Sequence, residues 1–194
     1  APNQRPTGAQ NRSPMNVPHH ILTPRLRLRR HTPADLDSFV EFLADDDSTR
    51  YMPFTAEQKT RAGAEQMLAW VIASYESQDP ICSLTIADRE TDEYLGSCGL
   101  SPDPDGVELY YTLLTRHRGR GLATEAAAAL LQHLWTETDA HRAVAHVVVD
   151  NEPSIRVARR LGFVDAGPIE RTAATGDIEH LTLRGRRMIL NRPE

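Results

Sequence analysis

The chain has 194 residues, which suits one domain with a sizeable core. Its net charge of −5 is uneven: residues 1–34 hold six arginines and no acid, so the remainder carries −11. An acidic body speaks against nucleic-acid binding by the domain and suits either cationic partners such as amines or plain solubility. No apolar run nears the ~20 residues that span a bilayer, and no apolar stretch of secretory type opens the chain. Cys82 and Cys98 therefore read as reduced, buried thiols of a cytoplasmic protein, and no spacing suits zinc, so no metal is expected.

Residues 1–20, with four prolines and little that is apolar, read as a disordered leader before a domain over 21–194. Met15 is an alternative start, which would make 1–14 an extension. Leu22 to Arg30 alternates apolar and basic residues, the pattern of a first strand. Thr32-Pro33-Ala34-Asp35 is a capping-box variant opening a helix to about Leu43. Asp45 to Arg50 is a polar loop, whose acids either face solvent or hold a cationic substrate. A second helix is clearest from Ala62 to Glu76, with Met67, Trp70, Val71 and Tyr75 near helical spacing.

Ile81–Asp88 and Tyr94–Leu100 form a hairpin turning at Arg89–Glu93, and Val107–Leu114 is a fourth strand. The alanine-rich run Leu122–Trp135 is a helix, followed by a β-branched strand over Ala143–Val149. Asn151 reads as the N-cap of the next helix, with Pro153 in its first turn and Gly162 as its stop. Phe163–Ile169 and Ile178–Leu190 close the sheet. Strands first, then strand–helix–strand–helix, give a mixed α/β sheet.

The junction Arg116-His117-Arg118-Gly119-Arg120-Gly121-Leu122-Ala123-Thr124-Glu125 carries the chemistry. Two glycines let the backbone turn tightly beside a ligand, and the helix that follows opens with unpaired amides and the positive end of its dipole. A strand, a Gly-rich basic turn and a helix start together make a phosphate site. It is no P-loop, because Leu122-Ala123 follow the second glycine where Lys-Ser/Thr would be needed. It is no dinucleotide fingerprint either, because Thr124 occupies the third glycine position.

With Leu22-Thr23-Pro24-Arg25-Leu26-Arg27-Leu28-Arg29, Leu95-Gly96-Ser97-Cys98-Gly99-Leu100, Asn151…Ser154 and Leu161-Gly162-Phe163, this junction resembles the GCN5-related N-acetyltransferases over roughly residues 21–190. The branch it looks most like contains the ribosomal-protein N-terminal acetyltransferases. The resemblance implies a single-domain α/β fold: a mixed, mostly antiparallel twisted sheet of about seven strands, flanked by about four helices and splayed between strands 4 and 5. It implies acetyl-CoA as donor, with Leu113 and Leu114 along the pantetheine arm and the amides from Arg116 to Thr124 on the pyrophosphate. Arg116, Arg118 and Arg120 would add charge, Thr124 a donor, and Asn151 a bond to the arm. His117 reads as polar filler of the same turn. An amine acceptor and a homodimer built on the terminal strands are further implications.

Glu108 shares one face of its strand with Tyr110 and Thr112 and is the first candidate for general base. Asp177 and Glu179 are the reserves. Many members carry a thiol-protonating tyrosine seven residues after the motif asparagine, where this chain has Ala158. Ser154 is then the candidate proton donor or sulfur contact. Two other readings stand beside the enzyme: a degenerate acyl-CoA sensor, for which the missing tyrosine speaks, and a basic leader that docks on RNA or the ribosome.

Overall fold

The protein is described here by a computed structural model covering residues 15–52, 54–175 and 178–194, with side chains outside 171–183. Eight strands make one sheet in the order β1-β2-β3-β4-β5-β6-β8-β7: β1 (His20–Leu22), β2 (Leu26–Arg30), β3 (Cys82–Asp88), β4 (Tyr94–Asp103), β5 (Gly106–Leu113), β6 (Arg142–Val148), β7 (Val164–Thr175) and β8 (Ile178–Asn191). Every pairing is antiparallel except β5–β6. The helices are α1 (Leu36–Ala44), α2 (Asp46–Thr49), α3 (Arg61–Ser74), α4 (Leu122–Glu137) and α5 (Glu152–Arg160).

The expected first strand is two, because Pro24 cannot donate to a ladder and Thr23 turns the chain. The Thr23 N–H donates to the Leu26 carbonyl at 2.9 Å, and the Leu26 N–H returns a bond to Thr23 Oγ1 at 2.9 Å. The polar loop at Asp45 likewise becomes a short helix, because the Asp45 carboxylate caps it at the Asp47 N–H. Among the described residues these additions make eight strands and five α-helices where about seven and four were expected. Residues 15–19 lie against the domain: Val17 is buried in the core and its carbonyl accepts from Arg30. Trp70, expected on an apolar helix face, is 68% exposed, and Ala64 and Leu68 face the core instead.

The main core lies between α4 and one face of the sheet. Leu26 and Leu28 of β2, Leu84 and Ile86 of β3, Leu109 and Leu113 of β5, and Ala143, Ala145 and Val147 of β6 pack with Leu122, Ala126, Leu130 and Leu134. Strand alternation then sends Ser83, Thr85, Glu108, Tyr110 and His146 to the opposite face. Tyr110 confirms this, because its hydroxyl lies 2.6 Å from Ser83 Oγ. Its ring lies over Gly99, where an added Cβ would come within 2.3 Å of it. No helix among the described residues is long and apolar enough to cross a membrane.

Candidate active site

β5 and β6 are paired only at Val107–Ala143 and Glu108–Val144. Beyond Glu108 the strands part, which is the expected splay. A cleft of about 680 Å³ runs through the gap, from Gly119, Gly121 and Thr124 past Leu113, Asn151 and Ser154 to Glu108 and His146.

The phosphate-type turn begins where β5 ends. The Leu114 N–H still bonds to the Leu95 carbonyl, and Leu114 is buried in a second apolar cluster with Phe42 and Leu43. It does not line the cleft, unlike Leu113. Thr115–His117 is a 3-10 turn in which the His117 N–H donates to Leu114 and the Arg118 N–H to Thr115. Those two amides, expected to face a ligand, are therefore already used. Gly119 and Gly121 both sit at φ +77°, the left-handed region that a side chain strains. The first bond of α4 runs from the Glu125 N–H to Gly121, so the amides of residues 119–124 carry no backbone acceptor among the described residues.

Of the three arginines, only Arg118 lines the cleft, donating to the Leu113 and Asp47 carbonyls at 3.2 and 3.3 Å. Arg116 pairs with Glu41 and lies 3.6 Å from Glu93, outside the cleft, and Arg120 is exposed away from it. His117 is buried 3.3 Å from Glu93, also outside. Thr124 Oγ1 is buried beside the free amides without a hydrogen-bond partner. An orphaned hydroxyl among unpaired N–H groups fits a phosphate ligand.

The Thr23-Pro24-Arg25 turn locks this junction from outside. The Glu125 carboxylate accepts from Thr23 Oγ1 at 2.7 Å, from the Arg25 N–H at 2.9 Å and from Arg25 Nε at 2.7 Å, while Arg25 Nη1 reaches the Arg120 carbonyl at 2.9 Å. Burial alone would raise the Glu125 pKa, but the Thr23 and Arg25 donors bring it below its ordinary value. Asp45 similarly serves structure: Ser48 and Thr115 hydroxyls bond it and hold it below the usual carboxylate range. Asp46 pairs with Lys59 at the surface, and Asp47 alone of the three acids lines the cleft.

Asn151 caps α5 by accepting from the Ser154 N–H at 3.3 Å. Ser154 Oγ donates to the Tyr111 hydroxyl at 3.1 Å, and that hydroxyl donates to the Ser154 carbonyl at 3.0 Å. Burial raises the Tyr111 pKa, with the Ser154 bond opposing, so the phenol stays protonated at neutral pH. Sequence reasoning missed this residue; Ala158 is fully buried where a tyrosine was looked for, and β5 supplies a phenol beside Ser154 instead.

Glu108 lines the far end of the cleft with its side chain 16% exposed. His146 Nδ1 lies 3.0 Å from it, and Asp103 and Arg187 follow behind. The donor atoms of Asp103, Glu108 and His146 fall within 4.8 Å of one another, a gathering that sequence spacing hid. The Arg187 guanidinium lies 3.4 Å from Asp103. Asp177 lies outside the described residues, as does the side chain of Glu179.

Residues 25–164 match the family model described as an acetyltransferase (GNAT) domain. The chain belongs to the GNAT acetyltransferase family. It is 29% identical over 150 residues to the N-acetyltransferase p20 of Bacillus licheniformis, covering 76% of this chain and 83% of that protein. Its fold is similar to that of ribosomal-protein-S5-alanine acetyltransferase from Vibrio fischeri (TM-score 0.69, 15% identity, 89% and 96% of the two chains). It is also similar to RimJ of Mycobacterium smegmatis in complex with CoA-disulfide (TM-score 0.68, 18% identity, 86% and 81%).

Proposed function

We propose that this GNAT protein is a cytoplasmic N-acetyltransferase that moves the acetyl group of acetyl-CoA directly to a primary amine, either a protein N-terminus or a small molecule. One observation carries the reading: a single cleft joins the free amides of residues 119–124 to the Glu108 carboxylate through the gap between β5 and β6. Those amides, Thr124 Oγ1 and Arg118 would bind the donor's pyrophosphate. The parted edges of β5 and β6 would hold its arm by main-chain bonds, as an added strand is held. Asn151 and Ser154 would border the arm as it passes.

The donor supplies a thioester, and the protein's work is positioning and proton handling. An α-amine with a pKa of ~8 is about one-tenth neutral at pH 7, whereas a lysine near ~10.4 is neutral in fewer than one molecule in ~1000. Glu108 would take the ammonium proton, and Ser154 backed by Tyr111 would hand one to the leaving sulfur. The buried thiols suit a reducing compartment: burial pushes Cys82 up to about 11 and Cys98 higher still, so neither is a reactive thiolate.

The deciding experiment is mass-spectrometric detection of acetyl transfer to peptides beginning with Ala, Ser or Met, lysine peptides, aminoglycosides and polyamines. A mass gain confined to one class is expected and names the acceptor. Acetyl-CoA binding without transfer to any member would favour a sensor module instead.

A further inference from the structure

β6 buries Ala143, Ala145 and Val147 against α4, so Arg142 and His146 are the polar residues that this strand turns to the other face. There its side chain is 7% exposed, held among charged groups from three neighbouring strands. Glu108 Oε1 of β5 lies 3.0 Å from Nδ1, and Asp103 Oδ2 of β4 lies 3.8 Å from Nε2. Arg187 of β8 reaches Asp103 at 3.4 Å and Asp105 at 3.0 Å, and Asp105 is bonded by Arg142. The imidazole thus lies between two carboxylates, with Arg187 balancing the outer one.

A neutral imidazole carries one ring proton; with that proton on Nε2, towards Asp103, Nδ1 stands 3.0 Å from Glu108 as the acceptor for a proton delivered there. Nδ1 is buried and closes no hydrogen bond. Catalytic pairs are often open in this way before substrate arrives. We infer that His146 is the proton relay behind Glu108, and that Asp103 positions it. This rests on Glu108 being the base of the proposed transfer.

The step balances simply. The acceptor's N–H bond breaks and its proton goes to the Glu108 carboxylate; the new O–H then breaks as the proton moves to Nδ1. Glu108 is again a carboxylate, and the imidazolium lies between it and Asp103 until the proton leaves to solvent. Asp103 favours the imidazolium as the buried acid of a hydrolase triad does.

The test compares wild-type protein with His146→Gln and His146→Ala in the acetyl-transfer assay, with kcat and KM followed from about pH 5.5 to 9. Expected are an unchanged acetyl-CoA affinity, a kcat lower by roughly 10- to 100-fold, and loss of the acid limb contributed by the relay. Imidazole added to His146→Ala should restore turnover in proportion to its neutral form. Should the histidine variants fail to fold, Asp103→Asn carries the same question, with kcat down about 3- to 10-fold at constant KM. An unaltered pH profile without imidazole rescue, or an unaltered kcat in Asp103→Asn, overturns the relay and leaves the proposed function standing. A wild-type protein that acetylates no amine overturns the reading beneath it.

Discussion

The two ends of the cleft are built by different means. The proposed donor end is backbone: six consecutive amides, two glycines at φ +77° and one helix start, all within residues 119–124. The opposite end is side chain: Glu108, His146, Asp103 and Arg187 come from four strands and meet only in the folded sheet. A backbone site tolerates replacement of its side chains but not of its glycines, because conformation is the functional group. A side-chain site tolerates nothing at the atoms that move protons, while its surroundings can drift. The donor end should therefore break by shape and the far end by chemistry.

The largest effect is expected at the donor end. Gly121→Glu forces a side chain into a left-handed position and adds a negative charge beside the free amides. Its acetyl-CoA affinity should fall by more than about 1000-fold in a calorimetric titration, at least 4 kcal/mol. Unchanged affinity would remove the turn from the donor site.

The far face also carries a pH-sensitive stability device. A buried chain of hydrogen bonds runs from Tyr110 through Ser83 to His31 Nε2 (2.9 Å), then from His31 Nδ1 through Thr85 (2.7 Å) to Asp35, which Arg29 clamps. Burial pushes the His31 pKa from 6.5 down to about 4, with Asp35 opposing. The unfolded chain takes up that proton first, so stability is complete above pH 6.5 and drains as pH falls towards 4. The loss should approach roughly 3 kcal/mol. Thermal melts at about pH 7 and 4.5 should show a smaller acid-induced drop in Tm for His31→Gln than for wild type; equal drops would place the acid sensitivity elsewhere. Asp35 reinforces the trend: burial would raise its pKa, but the Arg29 and Thr32 bonds hold it lower, so its share is lost at still lower pH.

Glu108→Gln sharpens the contrast, because it alters chemistry with almost no change of shape. Its kcat near neutral pH should drop about 100-fold with acetyl-CoA affinity intact, and an unaltered kcat would put the base elsewhere. The smallest effect belongs to Arg116→Gln, expected to change that affinity less than about 3-fold because exposed ion pairs contribute little. Arg116 spends its charge on Glu41 and Glu93, so a larger loss would mean that it leaves them for the phosphate when ligand binds.

Much of the proposed donor end was legible in the chain. Gly119, Gly121 and Thr124 lie next to one another, and a strand pattern followed by a helix pattern sets where the free amides fall. What was not legible is how amides and side chains are spent. His117 and Arg118 lose their N–H groups to a 3-10 turn, and Leu114 leaves the cleft for an apolar cluster. The Thr23-Pro24-Arg25 motif was visible as a resemblance, but its bonds to Glu125, about 100 residues away, needed the fold. Tyr111 was hidden because a tyrosine was sought on the helix, whereas β5 brings the phenol from across the gap.

By itself, then, the sequence determined what depends on neighbours along the chain: strand alternation, helix starts and stops, and a glycine-shaped turn poised for phosphate. It also set the side of the sheet on which Glu108 and His146 stand, because alternation is a local rule. Tertiary structure decided which carboxylates stand beside His146 and which arginine faces the cleft. Those outcomes depend on hydrogen-bond distances of about 3 Å between groups far apart in sequence, and no spacing along a chain can encode them without the sheet that brings β4, β5, β6 and β8 side by side.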